Sequence, residues 1–118
     1  MMSEFSASGN LLVVAITETS DPLGAWFVYS YQANSFPDYP KYGIWPNMYV
    51  VTSNENSPTV YVLDRAQMLA GNPGAAQDFT VPSYGTIGFQ ALTPVDFDGS
   101  TLPPANEPAM VMLSLIHI

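Results

Sequence analysis

The chain has 118 residues, 47% hydrophobic, 13% aromatic and only 10% charged, which is a globular rather than a disordered composition. Lys41 and Arg65 are the only strong bases against ten acids, giving a formal charge of −8. Nucleic-acid backbones and anionic membrane surfaces therefore meet no cluster of cations here. The absence of Cys excludes disulfides, thiolate nucleophiles, Fe–S clusters and structural zinc of the usual type, and the length excludes two large domains.

Residues 1–10 lack the basic and apolar regions of a signal peptide. The longest uncharged apolar stretch, 109–118, is half of the roughly 20 residues a membrane helix needs, so no membrane insertion is expected. Eight Gly and eleven Pro, in small clusters, punctuate the chain about every ten residues. That spacing fits many short strands and predicts an all-β fold.

In chain order, residues 1–5 read as a strand, and 11–17 (Leu-Leu-Val-Val-Ala-Ile-Thr) are apolar on both alternating faces, as a strand between two layers requires. Asp21-Pro-Leu-Gly24 is a turn by chemistry: Pro22 presets φ, Asp21 can bond onward amides, and Gly24 tolerates a left-handed conformation. Residues 26–31 are aromatic and strand-favouring, the hairpin partner of 11–17. The two prolines around Asp38 predict a loop over 34–40, followed by pairing at 41–45, a turn at Pro46-Asn47, and strands at 48–52 and 59–63. Asp64 as N-cap and Gly71 at C′ frame one short helix near 65–70. Weaker strand signals follow at 77–81 and 89–95, with another starting at 109.

Residues 11–32 laid beside 59–81 give two copies of one plan at an offset of about 48, within the range of propeller blades. The expectation is antiparallel four-stranded β-propeller blades, about two blades of a larger propeller. Its pieces are about 1–33, 40–82 and 88–112, with 42–45 an innermost strand.

Thr19-Ser-Asp-Pro-Leu-Gly-Ala-Trp26 loosely resembles the Asp-box of sialidase-like propellers, although Gly24 follows Asp21 by three residues rather than two. A wider set of segments resembles uncharacterised secreted bacterial β-propeller proteins. They are Asp21-Pro-Leu-Gly-Ala-Trp, Asp38-Tyr-Pro-Lys-Tyr-Gly-Ile-Trp-Pro-Asn-Met-Tyr, residues 62–71 and Asp96-Phe-Asp-Gly-Ser-Thr-Leu-Pro-Pro104. The resemblance implies an extracellular protein with several blades and no transferable catalytic residue. In it Asp21 would organise its turn and Trp26 would fill the core between blades. The last six residues, Leu113-Ser-Leu-Ile-His-Ile118, resemble the translation of a transposase mosaic-end adapter, which implies that 113–118 is a non-native tail and that His117 carries no chemistry.

Candidate chemistry is sparse. Asp96-Phe-Asp98-Gly99 alternates carboxylates before a glycine as calcium loops do, but no bidentate acid follows at the spacing such loops use, so a plain Asp-Gly turn competes with a Ca²⁺ site at Asp96 and Asp98. Glycosidase chemistry needs two carboxylates about 5–10 Å apart. Asp38 and Asp64 have the most suitable neighbours, and each also has a structural reading as turn or cap. A serine triad lacks its base. Tyr39, Tyr42, Trp45 and Tyr49 crowd one region where aromatic faces could stack on a carbohydrate or on a protein ligand, or could pack between sheets. The functional expectation is a non-catalytic scaffold or binding portion of a secreted propeller whose partners are further blades of the chain. A propeller glycoside hydrolase or sialidase-like enzyme and a calcium-stabilised adhesion module are the alternatives.

Overall fold

A computed structural model describes residues 1–6, 8–82 and 90–115. Among them the chain forms nine strands and one short helix, in the order β1 (Met2–Ser6), β2 (Leu11–Thr17), β3 (Trp26–Gln32), β4 (Asp38–Ile44), β5 (Met48–Asn54), β6 (Pro58–Asp64), α1 (Arg65–Leu69), β7 (Ala76–Thr80), β8 (Gln90–Pro94) and β9 (Val111–Leu115). The fold is all-β with antiparallel sheets. Strands β1-β2-β3 make a first sheet, β4-β5-β6-β7 a central sheet and β8-β9 a third, each in strict chain order. Phe89 and His117, which figure in the strand and tail expectations, lie outside the described residues.

The three sheets stack as layers, and the reason is visible in β5 and β6. Successive side chains of a strand point to opposite faces, and both strands are apolar on each face. Tyr49, Val51, Tyr61 and Leu63 form one core with Leu12, Val14 and Ile16 of the first sheet. The register pairs Tyr49 with Leu63 and Val51 with Tyr61, so these four share a face. The opposite face supplies Val50 and Val60 to a second core with Leu92 of the third sheet. Thr52, fully buried, donates its hydroxyl to the Leu92 carbonyl at 2.7 Å, which satisfies a polar group between two layers. Strand β2, expected to be buried on both faces, buries only Leu12, Val14 and Ile16; its other face is half-buried.

Two local features depart from the sequence reading. The predicted loop over 34–40 ends early, because β4 already begins at Asp38. A register shift between Asp38 and Lys41 absorbs Tyr39, which has φ 52, and Pro40, which lacks an N–H to donate. A bulge lets a proline-containing segment remain part of an edge strand. Trp26, expected in a core between sheets, is half-buried at the start of β3, and its indole N–H donates to the Pro22 carbonyl at 3.2 Å.

Helix α1 connects β6 to β7 within the central sheet and lies against the first, where the Tyr29 hydroxyl donates to the Met68 carbonyl at 2.7 Å. Asp64 accepts from the Gln67 N–H at 3.1 Å at one end. At the other, the Asn72 N–H reaches Gln67 O and the Gly71 N–H reaches Met68 O, a Schellman closure that needs the positive φ of Gly71. A side chain on Gly71 would also meet the Phe27 ring at 2.6 Å, so the helix end lies directly on β3.

Gly43 lies against the end of β8 and the residue after it: a Cβ there would come within 2.9 Å of both Pro94 Cβ and the Val95 carbonyl. Gly43→Ala is expected to cost about 1–3 kcal/mol as an overpacking change. Urea unfolding of the two proteins, read as the shift in midpoint at constant slope, checks this.

Candidate functional site

A constellation of polar side chains surrounds an open depression of about 420 Å³ lined by Asn34, Ser35, Glu55, Asn56, Asp78 and Thr80, among others. Three chain segments meet there: the β3–β4 connection, the β5–β6 hairpin and strand β7. Glu55 is its centre. Its Oε1 accepts from the Ser53 hydroxyl and from the Tyr61 hydroxyl, both at 2.6 Å, and its Oε2 accepts from the Ser35 N–H at 3.1 Å. Tyr61 in turn accepts from the Asn34 N–H at 3.3 Å, and the Asn34 side-chain amide donates to Asp78 Oδ2 at 3.0 Å. Ser35 closes the loop by accepting from the Asn56 N–H at 3.0 Å.

A carboxylate held by three donors is fixed in position, and its lone pairs are largely committed. Glu55 therefore works as a strut that ties the β3–β4 connection to the hairpin. What remains open to a ligand is a rim of amide and hydroxyl groups with the Asp78 carboxylate among them, suited to polar contacts. The sequence reading gave Glu55, between the strands at 48–52 and 59–63, no role. Its local partners, Ser53 and Tyr61, are two and six residues away, but Ser35 is 20 residues away and only the tertiary fold supplies it.

The aromatic quartet does not assemble into one platform. Tyr49 is buried in the core between the first and central sheets, with the Arg65 guanidinium 5.8 Å from its ring centroid. Trp45 is buried as well, and its indole N–H donates to the Glu107 carbonyl at 3.3 Å. Tyr42 is half-buried against the same core as Tyr49. Burial raises its phenol pKa, with the nearby Ser3 side chain pulling the other way, although no hydrogen bond of good geometry forms. Tyr39 alone is exposed, and Lys41 Nζ sits 3.9 Å from its ring centroid.

The candidate acids serve the backbone. Asp21 Oδ1 accepts from the Leu23 N–H at 2.9 Å, and the Gly24 N–H returns to the Asp21 carbonyl at 3.2 Å, which defines the turn. Asp96 Oδ1 accepts from the Ile44 N–H at 2.7 Å and from its neighbour Phe97 at 3.1 Å, so it caps the edge of β4. Asp98 is exposed. Among the described residues no group of three His, Cys, Asp or Glu side chains gathers in a metal-holding arrangement. Asp38 pairs across from Asn54 and Asp64 across from Met48, at opposite ends of β5. Six steps along β5 separate their partners, about 20 Å, well beyond the spacing of a glycosidase pair.

Comparison with protein-family models, with curated proteins and with solved structures finds no match to this chain.

Two outcomes test the network. Glu55→Ala strands two hydroxyls and an amide, and is expected to lower stability by about 2–3 kcal/mol in urea unfolding. Alkaline pH should also destabilise the fold. Burial first, then neighbouring Tyr29 and Asp64, push the Tyr31 phenol up to about 12. Burial and the hydrogen bond to Glu55 push Tyr61 higher still. A phenol whose folded pKa exceeds its unfolded value of about 10 contributes stability below pH 10 and loses it as pH rises through the folded value. Thermal midpoints should accordingly fall above pH 10, and less steeply in Tyr31→Phe.

Proposed function

We propose that the chain is a non-catalytic scaffold: consecutive blades of a β-propeller in a secreted bacterial protein, providing shape and a polar rim for a carbohydrate or protein ligand. The observation that supports this reading is the layering. Each sheet is a sequential antiparallel meander, and each packs face to face on the sheet that follows it in the chain. The outer faces of the stack stay open: Val28 on the first sheet is 66% exposed and Met112 on the third is 62% exposed. Sheets covered on both faces by their neighbours, with apolar faces left at each end of a run, are what successive wedges of a ring require.

A catalytic reading draws no comparable support, since the two candidate carboxylates lie about 20 Å apart along β5. The calcium reading loses one donor oxygen to two backbone amides at Asp96.

Open apolar faces predict that the isolated chain self-associates at micromolar concentration in sedimentation velocity. The double variant Val28→Lys with Met112→Lys should be monomeric, with its thermal midpoint within a few degrees of the parent. A parent chain that stays monomeric would overturn the scaffold reading. Turnover of chromogenic glycosides that Asp38→Asn or Asp64→Asn abolishes would replace it with an enzyme.

A further inference from the structure

We propose that Asp98-Gly99, in the connection between β8 and β9, is a site of spontaneous covalent modification, where Asp98 converts to isoaspartate through a cyclic imide. The Asp96-Phe-Asp98-Gly99 segment has one carboxylate engaged, that of Asp96 on two backbone amides. Asp98 and Gly99 are both exposed. Among the described residues nothing accepts from the Gly99 N–H and nothing donates to the Asp98 carboxyl. There is room for a ring as well. A Cβ placed on Gly99 would meet no atom within 4 Å, and glycine brings no side chain to crowd the attacking nitrogen.

The conversion needs only water. The Gly99 amide nitrogen attacks Asp98 Cγ, an N–Cγ bond forms, and one carboxyl oxygen leaves as water with the amide and carboxyl protons. Water then adds to one of the two imide carbonyls. Addition at Cγ restores aspartate, whereas addition at the main-chain carbonyl breaks the old peptide bond and leaves the chain running through Cβ and Cγ. The backbone gains one methylene and the free carboxylate moves onto Cα. Nothing is oxidised or reduced, and the mass of the chain is unchanged.

The fold closes the same route elsewhere. Ring closure turns the following amide toward the side chain, which a hydrogen-bonded amide cannot do without giving up its partner. The amides after Asn34, Asn47, Asp96 and Asn106 already donate, to Glu55, Trp45, Ile44 and Pro104 respectively. Proline follows Asp21 and Asn72 and has no N–H. Asp64 heads α1, and the residues after Asn10, Asp38 and Asp78 belong to β2, β4 and β7. In the β5–β6 hairpin Glu55 is held by three donors, Asn56 by Ser35, and the Ser57 carbonyl by the Thr59 hydroxyl. The proposal draws on these local contacts and is independent of the ring of blades.

The test keeps the full chain for weeks at neutral pH and physiological temperature, folded in buffer and unfolded in concentrated urea. It is then digested with an endoprotease that cuts before aspartate but not before isoaspartate. Expected in the folded chain is a growing fraction uncut at 98, of unchanged mass, whose electron-transfer fragmentation places the extra methylene at Asp98. In heavy-oxygen water that peptide gains one labelled oxygen. Deamidation of the asparagines should trail Asp98 in the folded chain and overtake it in urea. Asp98→Glu, whose ring would need one more atom, should lose the product and unfold at the parent's temperature. Asp98→Asn should convert faster, with loss of ammonia. No isoaspartate at 98 in the folded chain, a product without label, or the same product from Asp98→Glu would each overturn the proposal. So would an asparagine that converts first while folded, or Asp98 still leading in urea, since either shows that the fold does not select the site.

Discussion

The central sheet is apolar on both of its faces, and the rest of the molecule follows from that constraint. A sheet with side chains such as Tyr49 and Val51 on one face and Val50 and Val60 on the other cannot leave either side to water. The first sheet covers one side and the third sheet the other. Polar residues within the sheet must then find partners between layers, as Thr52 does on the Leu92 carbonyl and as Tyr61 does on Glu55. The Glu55 network is thus the far end of the same packing problem. Where the core between the first and central sheets reaches the surface, its last buried phenol needs an acceptor, and the hairpin supplies one.

Much of this was legible because the relevant chemistry is local. Strands at 48–52 and 59–63 were legible as short β-favouring runs between polar, proline-bearing turns, whereas burial on both faces was read from 11–17 and belongs to these two strands instead. The Asp21 turn and the caps of α1 act between residues two to five positions apart, a distance that a sequence displays directly. All-β architecture followed from the spacing of Gly and Pro.

The remainder depends on contacts between distant segments. Trp45 looked available to a ligand because nothing in residues 42–49 shows that the segment near Glu107, 62 positions later, bonds to its indole. The extension of β4 back to Asp38 was hidden by Pro40, whose usual meaning as a strand breaker is reversed by a bulge. Asp38 and Asp64 looked eligible as a pair until the register set them, on β4 and β6, across from opposite ends of β5. Glu55 was overlooked because its role comes from Ser35 and Tyr61, which flank it only after the sheets have stacked.

Among the described residues every strand pairing joins neighbours in chain order. None of these strands waits for a distant segment before it can form its ladder, which is unusual among all-β proteins, where non-local pairing tends to slow folding. A nascent chain could close each hairpin soon after its second strand left the ribosome, and the layers would then settle in the sequence in which they were synthesised. Order of translation and order of assembly coincide, which shortens the time that the doubly apolar strands of the middle layer spend uncovered.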